Sequence, residues 1–288
     1  MQGSLPRARL GLVAVALVAS LAALLPTRGV AAAGDRDHPY LALGDSVAFG
    51  FIPSPPLPPV DYFNPANFVS YADDAAGQLD EQLTNASCPG ETTSSFISTS
   101  GPDNGCNNFY RLHFPLHTNY AGPQLDFAVS FLKTHTDTHL VTIDLGANDI
   151  FLLQHACALA LNPTACFAAG LPGTLATIGT NLDTIFSKIR NVAHYDGDLV
   201  ALSYYALDYE DHFGKQVTNA LNAVISAEVH KWHGHVANGF GAFREASDAF
   251  DGSTCLAGLR ISLGPGVCDV HPTPLGHSIL ADEVVEAA

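Results

Sequence analysis

The chain has 288 residues, enough for one large domain or two small ones; 47% of them are hydrophobic and only 14% are charged. The formal net charge of −16 at pH 7 produces a field that repels nucleic acids and anionic membrane surfaces. These figures favour an acidic protein with a sizeable core and argue against nucleic-acid binding.

The first 33 residues have the layout of an export signal. Arg7 and Arg9 form a basic start, an apolar run follows at 10–25, and small residues precede a cleavage point at Ala33. The run is about 16 residues long, short of the ~20 that span a bilayer, so we expect cleavage rather than anchoring. Removal of this segment takes away three arginines and lowers the net charge from −16 to −19. The remaining chain is predicted to be secreted, without stable insertion into a membrane.

A short apolar run at 40–43 predicts a buried strand that ends at Gly44. Gly44-Asp45-Ser46 therefore places a serine at a strand end, where parallel sheets bind their ligands. Ser46 is a candidate nucleophile; the alternative is that Asp45 and Ser46 only cap the next helix. The sequence contains no Gly-x-Ser-x-Gly, so the nucleophile elbow of the α/β-hydrolases is not expected.

The proline-rich segment 51–65 follows directly and predicts an extended loop. We expect it to line or cover a pocket for the acyl group, with Tyr62, Phe63 and Phe68 as its apolar surface, although an ordinary surface loop would have the same composition. The next elements are predicted as a helix at 68–79, a strand at 83–86 and a helix at 125–134.

Six cysteines, even in number and grouped in three local couples after an export signal, indicate disulfides. Six cysteines allow 15 pairings, and the shortest loops close most easily. A zinc site is disfavoured because no two cysteines have the close spacing that such sites prefer. The favoured pairs are Cys88–Cys106, Cys157–Cys166 and Cys255–Cys268.

The clearest strand is predicted at 139–145, and Gly146 ends it. Asn148 follows, and its side-chain NH2 group is a donor suited to a developing oxyanion. A helix cap is the alternative for Asn148, and for Asp149 it is the better interpretation.

The second half of the chain continues the alternation of strands and helices. Strands alternating with helices predict a parallel sheet covered on both faces. We therefore expect an α/β protein with one domain, 34–288, built as a three-layer α/β/α sandwich around a mostly parallel sheet of about five strands. The elements predicted here are helices at 149–159 and 174–193 separated by a Pro/Gly loop, a strand at 199–204, a helix at 213–232, a strand at 235–237, a loop-like stretch at 247–274 and a helix at 277–287.

His271 stands out among the 13 histidines of the chain. It lies in a stretch made rigid by Pro272, Pro274 and Gly276, just before the last predicted helix, with Asp269 nearby. A fixed imidazole that titrates near neutral pH is what a serine needs to become nucleophilic. His271 is therefore the candidate general base.

These blocks, in this order, resemble the SGNH hydrolases, the GDSL-type lipases and esterases. The resemblance rests on Gly44-Asp45-Ser46, on Cys88-Pro89-Gly90-Glu91 as in the secreted bacterial branch, on Gly146-Ala147-Asn148-Asp149 and on Asp269-Val270-His271-Pro272. It implies that Ser46 attacks an ester carbonyl and that His271 moves the proton. It also implies that the N–H groups of Ser46 and Gly90 hold the oxyanion together with the Asn148 side chain. No metal or cofactor is implied.

The chain departs from the family pattern at one position. The family often places the orienting aspartate three residues before the histidine, where this chain has Cys268. Asp269 lies two residues before His271. Either Asp269 orients the imidazole, or a backbone carbonyl near Cys268 does so under the constraint of the Cys255–Cys268 bridge. We favour Asp269.

The expected substrate is a small-molecule or lipid-like ester, and the expected state is a monomer. Deacetylation of carbohydrates, as by acetylxylan esterases, and phospholipase acyl hydrolysis remain alternatives within the same chemistry. Metal catalysis is disfavoured because no His-Glu-x-x-His occurs among the sequence-local histidines His135, His139, His230, His233 and His235. A non-enzymatic wall- or glycan-binding module is the alternative outside enzymes.

Overall fold

The computed structural model describes residues 38–53 and 59–288. The predicted export signal lies outside these ranges. The strands are β1 (Pro39–Gly44), β2 (Gln82–Asn85), β3 (Leu140–Asp144), β4 (Asp198–Leu202), β5 (His235–Ala237), β6 (Arg260–Gly264) and β7 (Val267–Pro272). The helices are α1 (Ser46–Phe49), α2 (Tyr71–Leu79), α3 (Thr93–Ile97), α4 (Arg111–His113), α5 (Gln124–Thr134), α6 (Ala147–Cys157), α7 (Pro163–Ser187), α8 (His212–Lys231), α9 (Gly239–Ser247) and α10 (Pro274–Ala287). Short 3-10 turns occur at Pro65–Asn67 and Asp248–Phe250, and π-helical turns occur at Cys106–Tyr110 and Lys188–Val192.

Five strands form one parallel sheet in the order β2-β1-β3-β4-β5. Helices α2 and α10 pack together on one face, and α5, α7 and α8 cover the other. The predicted α/β fold with a five-stranded parallel sheet between helical layers is thus confirmed. The strand order changes direction between β1 and β3, and ligands of such sheets bind at the carboxyl ends of the strands that flank this point.

The central strands read as continuous apolar runs because they are covered on both faces. All five residues of β3 are buried, and residues 40–43 of β1 have no solvent exposure. The buried hydroxyl of Tyr40 is satisfied by Thr142 on β3 at 2.7 Å. The two strands that carry the switch point are therefore held rigidly against each other.

Helix α2 begins at Tyr71, three residues later than the apolar spacing predicts. Ser70 is its N-cap: the Ser70 hydroxyl accepts from the Ala72 N–H at 3.1 Å, and Asp73 accepts from the Ser70 N–H at 2.9 Å. This reciprocal capping fixes the start of the helix. Phe68 instead packs on Phe49, with 5.2 Å between ring centroids.

Helix α7 corrects the prediction of a Pro/Gly loop before residue 174. The helix begins at Pro163, because Asn162 caps it by accepting from the Ala165 N–H at 3.0 Å and proline suits the first helical position. Pro172 lies inside the helix. Gly170 lies close against α6, since a Cβ there would lie 2.5 Å from Leu153 Cδ1 and would displace the end of that side chain.

The stretch 247–274, predicted to be loop-like, contains the antiparallel hairpin β6–β7, and α9 before it was not predicted. The hairpin is short and mostly partly exposed, so it lacks the alternation that marks a strand in sequence. Its register is irregular: the three residues 269–271 lie opposite Ile261 alone. His271 is therefore on a bulged strand, and bulges of this kind re-aim side chains next to functional sites.

The six cysteines form the three pairs favoured from loop length, Cys88–Cys106, Cys157–Cys166 and Cys255–Cys268. Each bridge closes a loop that is short in sequence. Because it restricts the unfolded chain, each bridge stabilises the folded protein by about 2–4 kcal/mol. Within residues 38–53 and 59–288, none of the helices has the length and apolarity needed to cross a membrane.

Candidate active site

Ser46 is the first residue of α1, directly beyond the carboxyl end of β1. Gly44 makes the turn possible: its φ is +130°, and a Cβ at this position would lie 2.2 Å from the Asp144 carbonyl oxygen on β3. No other residue tolerates that conformation and that approach. The chain turns sharply here and Ser46 lines a cavity at the switch point of the sheet.

Asp45 is buried behind the serine and has two roles. It caps α1, the alternative role that the sequence offered for it, since Oδ1 accepts from the Val47 N–H at 3.0 Å. Its other oxygen, Oδ2, accepts from the Asn148 Nδ2 at 3.1 Å and from the Tyr204 hydroxyl at 2.8 Å. The carboxyl thus joins the ends of β1, β3 and β4 behind Ser46.

A second buried carboxyl, Asp144, lies beside Asp45. Burial raises the pKa of both groups, and the charge of Asp45 raises the pKa of Asp144 further, to well above its usual range. Asp45 accepts three hydrogen bonds, which favour its ionised form. We infer that Asp144 holds the proton and Asp45 carries the charge.

Asn148 lies near the start of α6, and two contacts settle the orientation of its amide. Its Oδ1 accepts from the Asn104 Nδ2 at 2.7 Å, while its Nδ2 donates to Asp45. An amide nitrogen carries two hydrogens, so one N–H remains for another acceptor. The side chain is therefore oriented as a donor on the side of the serine turn.

Gly90 is held near the serine turn by the chain on either side of it. The Cys88 N–H donates to the Gly44 carbonyl at 3.1 Å, and the Asn104 N–H donates to the Gly90 carbonyl at 3.1 Å. Asp149 adds a further tie, since its carboxylate accepts from the Thr93 N–H at 2.9 Å and from the Thr93 hydroxyl at 2.7 Å. The blocks at 88–93 and 146–149 are thereby joined.

Glu91 is wholly buried in this block and belongs to a polar network beneath the serine turn. Gln124 links it to Gly44: its Nε2 donates to Glu91 Oε2 at 3.1 Å and to the Gly44 carbonyl at 3.1 Å, and its Oε1 accepts from the Gly44 N–H at 2.7 Å. The Ser95 hydroxyl contacts Glu91 Oε1. Burial raises the pKa of Glu91 from 4.5 to about 8, so the carboxyl is protonated at neutral pH.

Glu91→Gln should make the stability of the protein less dependent on pH. Folded Glu91 keeps its proton up to about pH 8, whereas the unfolded chain loses it near its ordinary pKa of 4.5. Stability is therefore lost as the pH rises through this window, by at most about 5 kcal/mol from this one group. Glutamine replaces the protonated carboxyl and cannot ionise.

Thermal unfolding at pH 5 and pH 8 measures the effect, with Glu283→Gln as a control on a half-exposed carboxyl. We expect the midpoint of wild type to fall more between the two pH values than that of Glu91→Gln. Equal falls would mean that Glu91 ionises in the folded state without cost.

His271 and Asp269 lie on the bulged part of β7, where the regular alternation of faces is interrupted. The Asp269 carboxyl folds back onto the residue two positions further along, as in an Asx-turn. Asp269 Oδ1 contacts His271 Nδ1 and also accepts from the His271 backbone N–H at 3.0 Å. Burial raises the pKa of Asp269, but the hydrogen bonds and charge of His271 outweigh it, so this pKa is lowered overall. Asp269 is thus ionised and holds Nδ1, which leaves Nε2 available to another partner.

The strand that carries this pair is fixed from outside. Arg260 donates to the Asp269 carbonyl at 2.9 Å, and the Tyr205 hydroxyl donates to the Val270 carbonyl at 2.6 Å. The Cys255–Cys268 bridge ties the residue before Asp269 to the preceding loop. On the far side, the Phe51 ring packs edge-on against His271, with centroids 5.1 Å apart. The imidazole, 12% exposed, has little freedom to turn.

Ser46 and His271 line the same cavity of about 520 Å³. Within the described ranges their side chains form no hydrogen bond with each other, and such contacts often tighten only when substrate binds. The walls of the cavity are chiefly apolar. They include Val47, Ile150, Phe151, Phe167, Val217 and Leu221.

The position of this cavity corrects the prediction for the proline-rich segment. None of the described residues of 51–65 lines the cavity, whose walls come mainly from α6, α7 and α8. Phe51 and Tyr62 instead join Phe49 and Phe68 in a separate aromatic cluster. The segment supports His271 from behind, through Phe51, and Phe63 is 71% exposed.

Sequence reasoning missed three polar residues of this region, Asn104, Gln124 and Tyr204. Tyr204 follows β4, so the same argument from strand ends that singled out Ser46 and Asn148 would have found it. Asn104 and Gln124 lie in irregular chain and at a helix start, where no local pattern distinguishes them.

His277, the second histidine of the last block, has a structural place. It is 3% exposed, and its Nδ1 accepts from the Tyr71 N–H at 3.2 Å at the start of α2. Burial lowers the pKa of His277 to about 3, so the ring stays neutral.

Within the described residues, one group has the spacing of metal ligands, namely Cys88, Glu91 and Cys106. Its two sulfurs are joined in a disulfide and offer no thiolate. Of the histidines that lie close in sequence, His139 contacts Glu81 and lies 3.6 Å from Asp198.

A serine, an asparagine and a histidine lie at the carboxyl edge of a parallel sheet, and Gly90 lies in the Cys88-Pro89-Gly90-Glu91 block. This combination defines the class of SGNH hydrolases. The chain belongs to the GDSL-like lipase/acylhydrolase family, whose family model matches residues 42–279. It is thus a member of a family of carboxylic ester hydrolases, as the resemblance of its motifs implied. No curated protein matches the chain in sequence.

Solved structures share the fold at low sequence identity. A phospholipase A1 from Streptomyces albidoflavus is 20% identical over 87% of this chain and 99% of its own, with a TM-score of 0.55. An extracellular lipase from Streptomyces rimosus is 18% identical over 87% and 100%, also with a TM-score of 0.55. An acetylxylan esterase from Geobacillus stearothermophilus is 13% identical over 87% and 94%, again with a TM-score of 0.55. The three differ in activity, so the fold alone does not select a substrate.

Proposed function

We propose that the protein is a secreted lipase or carboxylesterase that forms an acyl-enzyme on Ser46 and binds the acyl group of its substrate in the apolar cavity. The observation that carries the proposal is that Ser46, Asn148 and His271 all line one cavity whose walls are chiefly apolar. Its volume of about 520 Å³ lies within the range of pockets that enclose small ligands.

In this mechanism, Ser46 Oγ attacks the ester carbonyl while His271 Nε2 takes its proton. The N–H groups of Ser46 and Gly90 and the remaining N–H of Asn148 stabilise the oxyanion of the tetrahedral intermediate. As that intermediate collapses, His271 gives the proton to the leaving alcohol. Water then attacks the acyl-enzyme with His271 again as base, which releases the acid and restores Ser46.

Asp269 would hold the Nδ1–H of His271 throughout and stabilise the imidazolium that forms. Its contact with Nδ1 supports this role over that of a backbone carbonyl near Cys268. The network of Asp45, Asn104 and Tyr204 would keep the Asn148 donor aimed before the reaction begins, so that no reorganisation is needed in the transition state.

Secretion is supported by two independent observations. The structure joins all six cysteines in disulfides, which persist in oxidising compartments. The sequence begins with the layout of an export signal.

Acyl chain length tests the assignment of the cavity. We expect wild type to hydrolyse p-nitrophenyl esters of medium or long chains with a higher kcat/KM than the acetate. Val217→Phe adds a ring to the cavity wall, so it should lower kcat/KM for the longest productive ester at least tenfold and change the acetate ester by less than about threefold.

Ala223→Phe is the matched control, because it adds the same ring to an exposed position of α8 outside the cavity. A preference for acetate in wild type, with no shift in Val217→Phe, would favour carbohydrate deacetylation instead. No hydrolysis of any ester would remove the proposal.

A further inference from the structure

The end of α6 and the first half of α7, residues 151–177, form a helical arm that packs against the core only through partly buried side chains such as Phe167, Leu171 and Leu175. No residue of α7 before Ile178 is fully buried, although the helix has 25 residues. The inner side of the arm forms part of the wall of the active-site cavity, through Phe151, Cys157, Pro163 and Phe167. The Cys157–Cys166 bridge closes its tip.

The tip of the arm exposes two large apolar side chains. Leu159 is 98% exposed and Leu161 is 109% exposed, more than any other large hydrophobic residue in the described part of the chain. Both lie inside the loop that the disulfide closes, and Cys157 and Ala158 at the start of that loop line the cavity. A single exposed leucine is ordinary, whereas two fully exposed leucines in one short closed loop beside an apolar cavity make a candidate binding surface.

The arm also lacks formal charge. No Asp, Glu, Lys or Arg occurs between Asp149 and Asp183, in a chain whose net charge is −16. Its exposed residues include several alanines, as at Ala158 and Ala165. They also include Gln154, His155 and Asn162, which are polar but carry no formal charge when histidine is counted as neutral. The acidic residues that line the cavity are Asp45, Asp208 and Asp211, and none of them belongs to the arm. An uncharged surface on a strongly acidic protein matches an uncharged partner and disfavours an anionic one.

We propose that the tip of the arm, through Leu159 and Leu161, docks the protein on an electrically neutral lipid surface, so that acyl chains pass from that surface into the adjoining cavity. This inference rests on the proposed function for its purpose, but the docking itself does not require hydrolysis. Two leucine side chains transferred from water into the apolar part of a lipid layer supply the driving force.

The test measures binding in a chain that carries Ser46→Ala, so that no lipid is consumed. Disulfide-intact protein is mixed with phosphatidylcholine liposomes, and the bound fraction is measured by flotation. We expect Leu159→Ser/Leu161→Ser to lower the partition coefficient at least tenfold. Leu159→Met/Leu161→Met, which keeps the apolar surface, should stay within about threefold of the parent.

The matched control is Leu112→Ser/Leu256→Ser, which removes leucines that are 69% and 66% exposed and lie outside the arm and the cavity. It should bind like the parent. Liposomes with half their lipid replaced by phosphatidylglycerol should bind the parent less well at low salt. Unfolding midpoints of all variants verify that the fold is kept.

Three results would overturn the proposal: no binding by the parent, equal loss in the arm and control variants, or stronger binding to the anionic liposomes. A change in the oligomeric state of Leu159→Ser/Leu161→Ser without lipid would identify a second copy of the chain as the occupant instead. Hydrolysis of a soluble acetate ester by the chain with Ser46 intact tests the proposed function separately, so the two ideas can fail independently.

Discussion

Ser46→Ala is expected to lower kcat/KM for a p-nitrophenyl ester by about 10⁴-fold or more. The hydroxyl supplies the only protein atom proposed to bond to the acyl carbon, and the oxyanion donors alone leave a small residual rate. Initial rates on the best ester of the chain-length series measure the effect. A serine-reactive phosphonate should label wild type and leave Ser46→Ala unlabelled.

Ser262→Ala provides the control, since this serine is exposed on β6 and bonds only within its own turn. It should keep full activity and full labelling. Activity retained in Ser46→Ala would show that the nucleophile has been wrongly assigned. If neither wild type nor Ser46→Ala hydrolyses esters, acetylated glycans or phospholipids, the result would support a non-enzymatic module.

Asp269→Asn should lower kcat about 10³- to 10⁴-fold with a small change in KM. The amide can present its NH2 group to His271, which would stabilise the tautomer with the proton on the wrong nitrogen, and it cannot stabilise the imidazolium. Steady-state kinetics on the same ester measure both constants. Asp269→Ala should lower kcat by a comparable factor, because it removes the acceptor altogether.

The competing account assigns the acceptor to a backbone carbonyl near Cys268. In that case Asp269→Ala would lose less than about tenfold, whereas Cys255→Ser/Cys268→Ser would lose most of the activity by releasing the strand. Under the Asp269 account the cysteine variant should lose stability, about 2–4 kcal/mol, more than it loses kcat.

The sequence was most informative where local physics decides the outcome. The apolar runs at 40–43 and 139–145 predicted buried strands, and Gly44 after the first run predicted a turn. The structure adds a reason that the sequence does not contain, since a side chain at Gly44 would strike Asp144. These features place Ser46 and Asn148 correctly at one edge of the sheet. Their catalytic roles, like those of Gly90 and His271, remain predictions until the variants are measured.

The sequence predictions failed where contacts between distant parts of the chain determine the local structure. Proline and glycine at 170–173 predicted a loop, but packing on α6 and the cap at Asn162 carry α7 through them. The hairpin β6–β7 was missed because its pairing is irregular and its residues do not alternate in exposure. The cavity walls come from three helices distant in sequence from Ser46, so no local motif could assign the acyl pocket.

The uncharged arm has a consequence for proteolysis. No Lys or Arg lies between Lys133 and Lys188, so trypsin-like proteases have no cleavage site anywhere in the arm. Proteases that cut at large apolar residues would reach Leu159 and Leu161 first, since these side chains stand fully in solvent. A cut there leaves both halves joined through Cys157 and Cys166. The arm can therefore be nicked at its most accessible point and still keep the cavity wall attached.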